Sequence, residues 1–503
     1  MAELKFTSEK SAFNFPGNLG GLLNISAELC PKRNGIGVPG KVLTFEEYHD
    51  RVCRMVHGLK KIGVERNDRV LLISPNSMNY ALISLAIFRI GAILVPLHPR
   101  IKHYELAHII SETRPKCIIC RFNNLSTAQK SYELIDDLPS PFFVTIDEKA
   151  PSTMFIEDLD FSKATTHCED MGLDDTAMIV YTAAMEGYAL GAELTHGSLF
   201  YNAIFFAEEA FRHNDPGSEV LSCILPLFHC YGFTDGFLVP LAGCSTCLIL
   251  DSTLRGRQIV NIMETYHVTQ VISVPAIYFS LVNHLPQKPE LCSWLNNLTS
   301  GGIGISVELL EKYHDILGLS ISEGYGLTEC SPVITWNGLS RPPKFGTVGY
   351  PLACCEVKVV DDEGREVPVG KEGEVLVRGL NVFYRYLNQP EHTKKAFIDD
   401  WFKTGDLGCL DNENYLTLTG LKKDMINIFG LKAYPKEVER ILLYHPDIES
   451  AHVRGEWHPR HRDIVACDVF LRPGSTTTQK DLLNWCRQNI SPYKIPRKIQ
   501  IHQ

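Results

Sequence analysis

The stretch Tyr181–His196, YTAAMEGYALGAELTH, carries residue types that could cradle an anion. A strand-like run (AMIVYT) enters a loop of small residues with Gly187 and Gly191, and a helix is expected to begin after it. Backbone amides of such a loop, together with a helix N-terminus, converge on negative charge. Two cysteine pairs have C-x-x-C spacing, Cys117 with Cys120 and Cys244 with Cys247. Both sit in β-like runs (KCIICRF and CSTCLIL) without nearby histidines. A buried structural role is expected for them, ahead of metal or redox chemistry.

The elements that must position these residues can be read from periodicity. From Leu43 to Leu97 an amphipathic segment (FEEYHDRVCRMVHGLKKIG) reads as helix, DRVLLISPNS as strand and turn, and ALISLAIFRIGAILVPL as helix then strand. The rhythm returns between about residues 219 and 321, where VLSCILPL, CSTCLILD, VTQVISVP and LNNLTSGG supply strands between helices. Such alternation predicts an α/β fold of layered, largely parallel sheets. Past Gly346 the texture changes to short alternating strands with glycine turns (VKVVDDEGREV, EGEVLVRG, NYLTLTG), a β-rich subdomain over about 346–419. After Gly420 a charged turn leads to a helix opened by Pro435. The expected organisation is a large domain, 1–419, and a small mobile α+β domain, 420–503.

Bulk properties narrow the function. At 503 residues the chain exceeds one hydrophobic core. A net charge of -10 argues against nucleic acid or an anionic membrane as partner. The longest apolar run, Asn79 to Leu97, holds Arg89 and Gly91 and is expected to be a buried helix and strand, not a membrane span. The first residues, MAELKFTSEK, lack the pattern of a signal peptide, and sixteen cysteines suggest reduced thiols, so a cytoplasmic protein without stable membrane insertion is expected. A homodimer is left open.

The stretch Tyr181–His196 resembles the phosphate-binding signature of the adenylate-forming (AMP-binding) superfamily, usually Y-T-S-G-T-T-G-x-P-K-G-x-x-x-T-H. Tyr181, Thr182, Gly187, Gly191, Thr195 and His196 fall in place. Further motifs follow in the family's order. LPLFHCYGF (Leu225 to Phe233) resembles the segment whose histidine, here His229, borders the acyl pocket. SGGIGIS (Ser300 to Ser306), with Gly301 and Gly302, resembles the glycine-rich turn against adenine and acyl group. GYGLTEC (Gly324 to Cys330) matches the motif that implies Tyr325 and Gly326 at the adenine, Thr328 on the α-phosphate and Glu329 on Mg²⁺. WFKTGDLG (Trp401 to Gly408) implies that Asp406 accepts from both ribose hydroxyls. INIFGLKAYP implies that Gly430 and Lys432 line a pantetheine tunnel, and the turn Gly420 to Asp424 implies a hinge at Lys423. These roles suit the groups: an aromatic face stacks on a purine, a carboxylate accepts a diol, and its hard oxygen suits Mg²⁺.

Three departures concern the triphosphate. Ala183, Ala184, Met185, Glu186, Ala189 and Leu190 replace hydroxyls, a glycine, the proline and the lysine of the phosphate loop. Leu421 stands where the family's hinge turn has arginine, with Lys422 or Lys423 as a substitute charge. The sequence also ends at Gln503, soon after YKIPRKI, before the loop that bears the family's adenylation lysine. One lost donor to developing charge typically costs about 3 kcal/mol of barrier.

The reading that follows is an acyl-CoA ligase for fatty or aryl acids, using ATP, Mg²⁺ and CoA through an acyl-AMP. Two alternatives accompany it. One is a catalytically impaired homologue that binds AMP, acyl-adenylate or acyl-CoA as a sensor or partner protein. The other is an enzyme that passes its acyl group to a carrier protein's phosphopantetheine. The apolar segments CYGF and VPAIY favour an acyl chain or aryl acid as the small carboxylic acid substrate.

Overall fold

The computed structural model describes residues 15–182, 189–211, 218–338, 340–422, 426–428, 431–458 and 462–502. Among these residues the chain builds a nine-stranded, an eight-stranded and a five-stranded sheet, with a two-stranded and a three-stranded sheet towards its C-terminus. In the nine-stranded sheet six neighbours run parallel: Ile321–Gly326, Asn297–Ser300, Gln270–Ser273, Val220–Cys223, Thr246–Ile249 and Asn34–Val38. The eight-stranded sheet has Arg69–Ile73, Ile93–Leu97, Cys117–Cys120 and Thr176–Thr182 as parallel neighbours in its middle. The strands expected between Glu219 and Ile321 are therefore present and parallel.

Helices between the strands start and stop where local chemistry dictates. Phe45–Lys61 opens with a capping box formed by Thr44 and Glu47, and its glutamates sit in the first turn and lysines in the last. Met78–Ile90 is apolar on nearly every side and buried, and ends at Gly91 in the left-handed conformation (φ 74°). Arg89 within it is fully buried and donates to Asn24 Oδ1 at 2.5 Å and to the Thr166 carbonyl. The helix runs into Ile93–Leu97, as the sequence predicts for this apolar run, and no helix among the described residues is long and apolar enough to cross a membrane. A single apolar core includes Ile36 and Leu221 of the nine-stranded sheet, Val70 and Leu94 of the eight-stranded sheet, and Phe88 and Phe200 from helices.

The β-rich part is the five-stranded sheet of Cys355–Val360, Gly373–Gly379, Trp401–Leu410, Phe397–Ile398 and Leu416–Leu421. The C-terminal part has its own core, where Val438, Ile448, Val465, Leu482 and Ile490 pack together. Helices Pro435–Leu442 and Gln479–Asn489 accompany its three strands. Both cysteine pairs are buried; Cys117 and Cys120 form the ends of one strand.

One expected element differs. The segment after the Thr176–Thr182 strand returns as an antiparallel strand, Leu190–Thr195, before the helix His196–Phe211 begins. The helix N-terminus therefore does not open directly from the loop. The charge that hides this strand in the sequence is Glu193, which is buried and satisfied by Thr176 Oγ1 at 2.7 Å and Arg385 Nε at 2.9 Å.

His196 consequently belongs to the core. Its Nδ1 accepts from the Leu19 amide at 3.1 Å and its ring meets Phe88 edge-on at 6.0 Å. Burial lowers its pKa to about 4, with a smaller opposing pull from Asp175. Between pH 6.5 and 4 the unfolded chain takes up a proton that the folded chain refuses. Stability is thus complete above that window and declines as pH falls through it, by on the order of 3 kcal/mol for this residue. Urea denaturation at pH 7 and pH 4.5 should show the decline, and His196→Leu should flatten it.

Candidate functional site

The carboxyl ends of the parallel strands face a cavity of about 700 Å³, the place where open α/β sheets take their ligands. Its wall collects Tyr181 and Thr182 from one sheet, Gly301, Gly302, Tyr325, Gly326, Thr328 and Glu329 from the other, and His229 from the turn after Val220–Cys223. Sequence motifs separated by more than a hundred residues thus meet on one surface.

Glu329 is buried, and its Oε1 accepts from Tyr386 Oη at 2.9 Å and Thr182 Oγ1 at 3.3 Å. Its backbone carbonyl accepts from the Phe383 amide at 2.8 Å. Burial, with the Glu329 charge next, pushes the Tyr386 phenol up, so it stays a donor. A carboxylate held in this way still has lone pairs to offer, as Mg²⁺ needs when it takes one protein carboxylate and completes its shell with water and phosphate oxygens. The donor set fits that ion.

Tyr325 donates its hydroxyl to Asp406 Oδ2 at 2.5 Å. Burial, and then the Asp406 charge, push the phenol up and keep it protonated. Asp406 is buried, its backbone amide donates to the Thr404 hydroxyl oxygen (3.1 Å), and it joins the cavity wall through Tyr325. Gly326 must be glycine here: a Cβ would stand 2.1 Å from the Pro332 carbonyl oxygen, which also accepts from the Leu327 amide. His229 is fixed by its own turn, with Nδ1 accepting from the Tyr231 amide at 3.2 Å, which leaves Nε2 as the protonated nitrogen of the neutral ring.

Other expected residues lie elsewhere. Gly191 sits in the strand Leu190–Thr195 opposite Tyr181, where a Cβ would approach Ile179 to 2.9 Å, and it is outside the cavity wall. Leu190, at the position of the family's lysine, is buried in the same strand. Lys422 is occupied: its Nζ donates to Asp362 at 2.8 Å and Glu374 at 3.0 Å, so it does not replace the missing arginine at the cavity. Lys432 falls in the strand Leu431–Ala433 beside the cavity-lining Leu431, and its side chain lies outside the described residues. Gly187, Lys423 and Gly430 also lie outside them, as do Ala183, Met185 and Glu186.

The C-terminal part closes the other side of the cavity through Tyr434, Arg440, Tyr444 and Lys494. Lys494 is buried and bridges two carboxylates, Glu105 of the large part at 2.7 Å and Glu437 of its own part at 2.5 Å. Ser491 also donates to Glu105. Burial opposes the charge on Glu105, but Lys494 and the surrounding donors outweigh it and hold its pKa down. Burial and the neighbouring Glu105 charge raise that of Glu437 against the pull of Lys494. Tyr104 stacks on Tyr444 next to this cluster, centroids 4.6 Å apart. None of Tyr386, Glu105, Glu437 or Tyr444 stands out in the sequence, because each acts through a partner distant in the chain.

The AMP-binding enzyme family pattern matches residues 27–387, and that of the AMP-binding enzyme C-terminal domain matches residues 437–503. The chain belongs to the AMP-binding enzyme family. It is similar to a feruloyl-CoA synthase of an Amycolatopsis species, 30% identical with 94% of this chain and 93% of the relative covered. It is also similar to a long-chain-fatty-acid–CoA ligase of Yersinia pestis, 28% identical with 92% and 86% covered. Among solved structures, MatB from Rhodopseudomonas palustris is 26% identical with a TM-score of 0.72, covering 97% of this chain and 95% of that one. The o-succinylbenzoate CoA synthetase of Bacillus subtilis shares the fold with a TM-score of 0.82 at 24% identity, covering 96% and 95%.

The Lys494 cluster gives a test of how the cavity is closed. Lys494→Met leaves two carboxylates buried without their cation, a loss of about 3–5 kcal/mol. Small-angle scattering should then show a larger radius of gyration, and adding Glu105→Gln and Glu437→Gln should restore the compact value.

Proposed function

We propose that the protein is an AMP-forming acid–CoA ligase. A carboxylate oxygen of the substrate attacks the α-phosphorus of ATP, pyrophosphate leaves, and the CoA thiol then displaces AMP from the acyl-adenylate. The observation that carries this reading is the convergence of Tyr325, Thr328 and Glu329, with Asp406 behind Tyr325, on a cavity whose wall continues into Phe206, Val333 and Trp336. One end can hold a nucleotide and the other an apolar acid.

In this reading Tyr325 and Gly326 flank the adenine, Asp406 takes the ribose hydroxyls, and Thr328 donates to phosphate beside Thr182, whose hydroxyl holds Glu329. Glu329 would hold Mg²⁺, which neutralises charge on the transferring phosphorus centre. Gly301 and Gly302 admit the acyl group, and His229 borders it. Gly187 and Gly191 belong to the phosphate segment, Lys423 to the hinge, and Gly430 and Lys432 to the path of CoA. The names of the relatives support an aryl or fatty acid as substrate. A cytoplasmic location belongs to the same proposal and is supported by sixteen cysteines that are all free thiols.

A second reading rests on Leu190 and Lys422. With an apolar buried residue at the lysine position and the nearby cation tied to two carboxylates, triphosphate contacts are weakened more than adenylate contacts. That favours a homologue that binds AMP or an acyl-adenylate without making it.

Incubation with ATP, Mg²⁺, CoA and either ferulic or palmitic acid separates the two. Ligase activity predicts AMP and the acyl-CoA by mass spectrometry, with Glu329→Gln lowering kcat by about 10²-fold or more. Absence of AMP from every acid, with AMP still bound, contradicts the ligase and supports the second reading.

A further inference from the structure

The seam between the large and C-terminal parts holds two carboxylates for one lysine. The side chains of Lys494, Glu105 and Glu437 are 6%, 10% and 5% exposed, and the single ammonium serves Glu105 at 2.7 Å and Glu437 at 2.5 Å. The two carboxylates are unequally provided for. Glu105 Oε1 accepts from Lys494, and its Oε2 accepts from the Ser491 hydroxyl and from the Lys102 amide at 3.4 Å. Glu437 Oε1 also accepts from Lys494, but its Oε2 is buried without a hydrogen-bond partner. With both carboxylates ionised, this trio carries one surplus negative charge out of water, an arrangement that costs free energy.

The groups that act on Glu437 come from both sides of the seam. Helix His103–Thr113 of the large part brings Glu105 and His108, while Lys494, Tyr493 and Tyr434 belong to the C-terminal part. On the helix that carries Glu437, Lys436 pairs with Glu439 at 3.1 Å and Arg440 lies one turn on. The Lys494 ammonium stands 5.2 Å from the Tyr493 ring centroid, and Tyr493 in turn packs against His98 at 6.0 Å. Burial keeps both phenols protonated and lowers His98 to about 4, so these three stay neutral near pH 7. Burial also raises the Glu437 carboxyl, with the Glu105 charge adding to it against the pull of Lys494 and His108. For Glu105, Lys494 and Ser491 outweigh burial and hold the carboxyl down. A proton that reaches the cluster therefore settles on Glu437.

We infer that Glu437 is a proton-operated latch on the seam: protonated, it leaves one cation facing one carboxylate and the C-terminal part seats firmly; ionised, its surplus charge loosens the seat and opens the cavity. The inference is independent of the ligase reading, because the seam forms whatever the cavity holds. Its sign follows from linkage. In the unseated form Glu437 is hydrated and has an ordinary carboxylate's affinity for protons, and seating raises that affinity. The contribution to seating is thus complete below the ordinary carboxylate range and is lost as pH rises through the raised value. The lowered Glu105 acts only in stronger acid, where its contribution is lost as pH falls. Lys494, raised well above its ordinary value by the two carboxylates against burial, acts only in alkali.

Small-angle scattering of the whole chain between pH 5.5 and pH 8, with circular dichroism to verify folding at each pH, reads the latch. It is run on the wild type and on Tyr444→Ala, which removes the stack on Tyr104 and brings the unseated population into measurable range. The radius of gyration should be larger at pH 8, the seated-to-unseated ratio falling about tenfold for each pH unit by which seating raises the Glu437 proton affinity. In the Tyr444→Ala background, Glu437→Gln should stay compact across the range and lose the pH response. Glu105→Gln, which leaves one carboxylate for one lysine, should flatten the response as well. His108→Gln should preserve it. A radius of gyration that is the same at both pH values in both backgrounds, or larger at pH 5.5, overturns the proposal. So does a response that persists in Glu437→Gln or disappears in His108→Gln.

Discussion

The carboxylate of Glu329 cannot be buried where the two large sheets converge unless it is paired, and much of the site follows from that need. One partner, Thr182, ends a strand of the eight-stranded sheet; the other, Tyr386, lies on the edge strand Arg385–Tyr386 of the same sheet. Glu329 itself follows the Ile321–Gly326 strand of the nine-stranded sheet. Hydrogen bonds to a charged group are stronger than neutral ones, and losing one partner leaves a buried charge unmet. The same three side chains therefore fix the spacing of the sheets and present an acidic oxygen at the cavity. Structure and chemistry are served by one group.

A similar economy appears at the opposite wall. Lys494 brings a cation to the seam between the large and C-terminal parts, and two carboxylates consume its charge. Such a cluster contributes less stability than its contact distances suggest, because desolvation offsets the attraction. What it supplies is specificity of docking: the C-terminal part seats where Glu105 and Glu437 can share one lysine. Tyr434 and Leu431 then reach the cavity.

The layered α/β fold and its parallel strands are legible in the sequence because the buried strands form continuous apolar runs bounded by glycine, proline and polar turns, whereas the spatial order of the strands is not. Tyr325, Thr328, Glu329 and Asp406 are legible because they sit in short motifs whose neighbours are constrained, as Gly326 is by the Pro332 carbonyl. The hairpin partner Leu190–Thr195 is not, since a glutamate in the middle of a buried strand reads as a loop until Arg385, nearly two hundred residues away, is brought beside it. Lys422 reads as a spare cation for the same reason; Asp362 and Glu374 lie far off in the chain. Glu437 and Tyr386 carry no local signal at all. Their meaning lies in what surrounds them, which periodicity does not encode.

In the proposed reaction one cavity holds a nucleoside monophosphate and an acyl group together. A non-hydrolysable acyl-sulfamoyl adenosine, with the acid joined to adenosine through an inert linker, tests it by calorimetry. Joining two groups that bind adjacent sites should give binding at least 10²-fold tighter than AMP or the acid alone, and Asp406→Ala should weaken it on the order of tenfold. Binding no tighter than AMP alone, or indifferent to Asp406→Ala, would contradict the account.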